Sequence, residues 1–136
     1  GAANLNLHVK AVADRMAACE VAGVDSAAQA VTSLVDAMHY ATGESLPGSA
    51  SVDAEITASF NAIELGLMDL DEASDEEAVA GVVAKICREA KLAKLAIARR
   101  EQHIIRFIAW HYPNQVVTIL KLHGNFAVAL DVGEIT

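Results

Sequence analysis

The chain is 136 residues long, the size of one domain, since two separate units sharing that length would each struggle to enclose a core. Apolar residues make up 54% of it and aromatic residues only 4%, so its core is built from Ala, Val, Leu and Ile, which suits close helix packing and disfavours a sandwich or barrel. The longest uncharged run, Phe107 to Leu120, is 14 residues interrupted by Pro113, too short and too broken to cross a bilayer, and the formal net charge of −8 opposes general nucleic-acid binding.

In chain order, Val9, Val12, Met16 and Cys19 recur at helical spacing and predict a first helix over about 6–21, ended by Gly23. Asp25 and Ser26 offer capping oxygens for a second helix over about 26–41, whose stripe is Ala27, Ala30, Val31, Leu34, Val35 and Met38. Gly43 closes it and opens a loop that runs to Ser49. Ser51 is placed to cap a third helix over about 52–67 through Ile56, Phe60, Ile63 and Leu67, followed by an acidic connection from Asp69 to Ala73.

Ser74 followed by Glu77 has the spacing of a capping box and opens a long fourth helix over about 75–111. Apolar residues recur every seven positions from Val79 through Ile86 and Ala93 to Phe107, and from Val83 through Ala90 and Ile97 to Ile104. Pro113 forbids continuation. Such a helix is about 54 Å long, whereas a compact domain of this size is only about 37 Å across. It therefore either breaks near Arg99 to Glu101, where charge interrupts the apolar seam, or packs its excess on a second copy. The expected contact residues are Ile86, Ala90, Leu92, Ala93, Leu95, Ile97, Ile104, Phe107 and Trp110, and a homodimer is the expected state.

Beyond Asn114 the run from Gln115 to Leu122 is rich in β-branched residues and Phe126 to Val132 is again apolar, so a hairpin over about 115–132 is predicted. Its loop is His123 to Asn125, because that register puts the apolar residues of both strands on one side. A short helix over 115–123 capped by Gly124 is the alternative. The expected fold class is mainly α with a small C-terminal β element (α+β): one domain, 1–136, of four helices and the hairpin.

Charge is segregated along the chain. Gly1 to Ala84 carries two basic and fourteen acidic residues, whereas Lys85 to Arg106 carries seven basic and two acidic. The two blocks are complementary, which favours contact between chains. Arg88, Lys91, Arg99, Arg100 and Arg106 are the residues that would meet phosphates if the basic helix bound nucleic acid, although they spread around the helix and base-stacking aromatics are scarce. A small helical enzyme would draw on Arg100 and His103 as an anion clamp, but no nucleophile–base pair or phosphate-binding loop signature occurs. No cofactor or metal is expected. His103 and His111 are eight residues apart and point in different directions, Asp36 and His39 form a single pair, and the Asp69, Asp71 and Asp75 run lacks the glycine and terminal carboxylate of a calcium loop. Cys19 and Cys87 read as free thiols in a reducing compartment. Without a secretory leader at its start, the chain is expected in the cytoplasm or within a larger assembly. The composite expectation is a non-enzymatic interaction or assembly module: a scaffold, an adaptor or an assembly cofactor of a larger particle.

Overall fold

The computed structural model describes residues 2–39, 41 and 48–115, which form four helices and one short 3-10 turn. The helices are α1 (Ala2–Ala18), α2 (Asp25–His39), α3 (Ala50–Glu72) and α4 (Glu76–His111), and the turn is Pro113–Gln115. The described part is mainly helical and contains no strand. The hairpin expected over 115–132 lies, apart from Gln115, outside the described residues.

The helices close into a ring. α1 packs on α2 and α3, α4 packs on α2 and α3, and neither α1 with α4 nor α2 with α3 makes contact among the described residues. Successive helices α2 and α3 are therefore diagonal partners. Cross-helix pairs set the directions: Lys94 Nζ meets Ser33 Oγ at 2.7 Å and Gly23 sits against Val79, so α2 and α4 run parallel. Arg100 meets Asp53 while Gly66 meets Ile86, so α3 and α4 run antiparallel. His8 lies 3.7 Å from Glu64, and Arg15 lines a groove with Asp71, which makes α1 parallel to α3.

The core is the expected aliphatic one. Val12, Leu34, Ile56, Phe60, Ile63, Leu70 and Ile86 are fully buried, and each large aliphatic or aromatic side chain removed from water contributes about 1.5–3 kcal/mol. Small residues set the helix spacing. A Cβ on Gly66 would stand 2.9 Å from Ile86 Cγ1, so α3 and α4 approach more closely there than any side chain on α3 permits. Gly23 has a φ of 86°, the left-handed conformation that turns the chain between α1 and α2.

α1 starts and ends earlier than the expected 6–21, α2 ends two residues before the expected 41, and three further boundaries differ from the sequence reading for a physical reason. α3 does not stop near Leu67 but runs to Glu72, because Leu70 continues the Ile56, Phe60, Ile63, Leu67 stripe and is fully buried. Asp69, Asp71 and Glu72 thus lie in the last turn of a helix, where the backbone dipole opposes them, instead of in a connection. The cap of α4 is Asp75, not Ser74: its backbone is extended (φ −146°, ψ 171°) and its carboxylate accepts the Ala78 N–H at 2.7 Å. Glu76 and Glu77 then sit favourably in the first turn. Likewise the N-cap position of α3 is Ser49, two residues before the expected Ser51.

α4 is one unbroken helix of 36 residues, with no interruption at Arg99 to Glu101. It stops where expected, the Tyr112 N–H closing on the Ile108 carbonyl just before Pro113. Because Arg100 lies opposite Asp53 in the first turn of α3, the residues of α4 after about 104 extend past the start of α3. Ile104, Ile105 and Ala109 in that extension are buried apart from the core cluster of the four helices.

Candidate functional site

Two places concentrate the chemistry foreseen from the sequence. The first is where the N-terminal turn of α3 meets α4. Arg100 is 2% exposed, and its Nε donates to Asp53 Oδ1 at 2.6 Å while Nη1 lies 3.5 Å from Glu101 Oε1. Ser49, fully buried, donates from Oγ to the other oxygen of Asp53 at 3.4 Å and leaves the α3 end without a side-chain cap. His103 comes up to Gly48, whose φ of 90° suits glycine and whose missing Cβ would stand 2.9 Å from Nε2. Arg100 and His103 are thus brought into one neighbourhood with two carboxylates. That arrangement is poorly suited to clamping an anion: one guanidinium faces two carboxylates, so the local charge from these three groups is negative and the fork of donors is already committed. What it does well is hold two helices in register, since a buried guanidinium is stable only where such partners surround it.

The second place is the outward side of α4. The exposed residues from Arg88 to Trp110 are Arg88, Lys91, Leu92, Lys94, Leu95, Ala98, Arg99, Arg106 and Trp110, without a carboxylate among them. Leu92, Leu95 and Trp110 are 49%, 55% and 76% exposed. Of the nine expected contact residues, the six that lie on the heptad pattern turn inward: Ile86, Ala90, Ala93, Ile97 and Ile104 are buried within the chain itself, and Phe107, half-buried, stacks on His111 at 4.2 Å. Leu92, Leu95 and Trp110 remain available. The seven-residue seam belongs to the core of the bundle, and these three residues belong to the surface.

The phosphate-contact set divides in the same manner. Arg88, Lys91, Arg99 and Arg106 are exposed, whereas Arg100 is buried in its ion pair and cannot reach a phosphate. Arg99 also bridges to Glu55 at 2.9 Å across the outside of α3 and α4, a solvated pair of small energetic weight.

Sequence reasoning missed Asp53, Ser49 and Leu65. Asp53 stands 47 residues before Arg100, and an acid in a first helical turn carries no mark of a distant partner. Leu65, 57% exposed on α3, had a visible signal, since it falls off the apolar stripe of its helix.

The remaining features are modest. A half-open groove of about 400 Å³ between α2 and α4 is lined by Ala30, Ser33, Cys87, Ala90, Lys91, Lys94 and Leu95. Cys19 and Cys87 are free and half-buried. Among the described residues no three His, Cys, Asp or Glu side chains gather as a metal centre requires, and no helix is long and apolar enough to cross a membrane. No protein-family model matches the sequence, and no curated protein and no solved structure matches it.

Proposed function

We propose that this chain is a non-enzymatic interaction module that works as a homodimer, in the manner of a scaffold, an adaptor or an assembly cofactor of a larger particle. The observation that carries the reading is the outward side of α4, which leaves Leu92, Leu95 and Trp110 exposed while Ile86, Ala93 and Ile97 on the opposite side of the same helix are buried. Leu92 and Leu95 form a small apolar spot on that side, and the chain's one tryptophan, a residue type that interfaces use as an anchor, lies about 22 Å further along it, beyond Arg99 and Arg106. The charge balance at Arg100 supports the non-enzymatic part of the reading, because it keeps that guanidinium from serving as the anion clamp.

Light scattering of wild type beside Leu92→Asp/Leu95→Asp tests it. Both positions are about half exposed, so the substitutions leave the fold intact, with unchanged helical circular dichroism. Wild type is expected at twice the 14.3 kDa chain mass and the variant at the chain mass itself. Wild type at the chain mass would contradict the homodimer, and a variant as heavy as a dimeric wild type would contradict the assignment of the contact to Leu92 and Leu95.

A second reading has its own observation, the carboxylate-free run of exposed basic residues from Arg88 to Arg106. If that side meets nucleic acid, retention on immobilised RNA or DNA falls with moderate salt and with Arg88→Ala/Arg99→Ala. Retention indifferent to both changes would remove this reading.

A further inference from the structure

We infer that the second copy docks on the layer formed by α3 and α4 about a twofold axis running along the helices, so that α4 of each protomer lies on α3 of its partner. This rests on the homodimer reading and specifies its surface. α3 contains no Lys or Arg anywhere in Ala50–Glu72, whereas the exposed residues of its neighbour α4 from Arg88 onward include no carboxylate. Two adjacent ridges of opposite charge therefore face outward on one side of the bundle.

The Arg99–Glu55 bridge marks that side, because it spans the two helices from outside the core. On α4, Leu92 is seven residues before Arg99, within about 20° of it at 100° per residue. Lys85, fourteen before, is within about 40°. On α3, Asp69 and Leu65 follow Glu55 by fourteen and ten residues, within about 40° and 80°. Each ridge thus carries one exposed leucine, Leu65 at 57% and Leu92 at 49%; the acids of α3 have no base among them, and on α4 the half-buried Glu89 is the one carboxylate among the bases from Lys85 to Arg99.

A surface that meets its own copy must be complementary to itself under the symmetry that relates the two. A twofold axis across the helices would set α4 on α4 and bring two basic ridges together, which is repulsive. An axis along them exchanges the ridges, so each basic one meets an acidic one and Leu92 of each copy lies over the ridge that holds Leu65 of the other. Because such an axis keeps every residue at its own height, Arg99 comes level with the partner's Glu55 and Lys85 with the partner's Asp69, in the last turn of α3 where a carboxylate opposes the helix dipole. The layer measures about 35 Å by 20 Å, or about 700 Å² a side, close to the standard size of a stable interface.

Complementation tests the arrangement. Leu92→Glu puts a negative charge on the basic ridge and Leu65→Lys a positive one on the acidic ridge. Each variant alone is expected to sediment as a monomer, because both of its contacts then oppose like charges. An equimolar mixture is expected to recover at least half of the dimer, because one contact is native and the other sets the new carboxylate near the new ammonium. Dimeric wild type with Leu65→Lys still dimeric, or with the mixture still monomeric, overturns the arrangement and leaves the homodimer reading standing. Monomeric wild type overturns both.

Discussion

Arg100 is the residue whose surroundings say most about how this molecule holds together. A guanidinium removed from water needs charged partners, and Asp53 and Glu101 lie against this one; those carboxylates, each 13% exposed, are stabilised by it in turn. Arg100→Met keeps the bulk and deletes the charge, leaving two largely buried carboxylates side by side. The expected cost is about 3–5 kcal/mol, read as a lower urea midpoint by circular dichroism. Arg100→Lys recovers part of that loss, since an ammonium supplies charge but not the planar fork. A midpoint unmoved by Arg100→Met would mean that the pair holds nothing. Sequence alone marked Arg100 as an interruption of an apolar seam and a candidate clamp. Its real partner was illegible, because pairing across 47 residues depends on how two helices meet and leaves no local pattern.

Among the elements, α4 is both the best foreseen and the most instructive. Its periodicity, its acidic start and the proline beyond its end were all readable, and it runs over Glu76–His111 as one piece. The capping oxygen was misplaced by one residue because Ser74 and Asp75 are both competent, and only backbone geometry decides between them. Asp75→Ala is therefore expected to cost about 1 kcal/mol, while Ser74→Ala stays within about 0.5 kcal/mol in the same denaturation assay. The reverse order would restore the serine as the cap. The glycines of α3 and α4 make a parallel contrast. Gly66→Ala forces a methyl to 2.9 Å from Ile86, a β-branched side chain that is fully buried and cannot swing away, so a loss of about 1–3 kcal/mol is expected. Gly81 has nothing within 4 Å of its missing Cβ, and Gly81→Ala is expected to gain about 1 kcal/mol from helix propensity. Thermal or urea unfolding of the two variants checks both signs. The end of α3 was misjudged because a cluster of acids resembles a connection, while the one buried residue that extends the helix, Leu70, was hidden among them.

At the scale of the whole molecule, the helical class, the number of helices in the described part and the aliphatic core were legible, because they follow from periodicity and composition. The order of helices around the ring was not, since the diagonal relation of α2 and α3 depends on packing that no single helix records. The heptad seam misled in one respect. Taken as the surface for another copy, it is largely the surface that α4 presents to α2 and α3, so what remains for a partner is the smaller outward set of Leu92, Leu95 and Trp110. A pattern of apolar spacing states that a face is covered, not by whom. The proposed function therefore stands on exposure and charge: a long helix with a basic, leucine-bearing outer side next to a helix without a single basic residue. Sedimentation equilibrium of the unmodified chain from about 1 to 100 μM tests this most directly, a range that brackets ordinary interface affinities. A mass approaching twice 14.3 kDa across that range is expected, and a mass that stays at 14.3 kDa up to the highest concentration would contradict the homodimer.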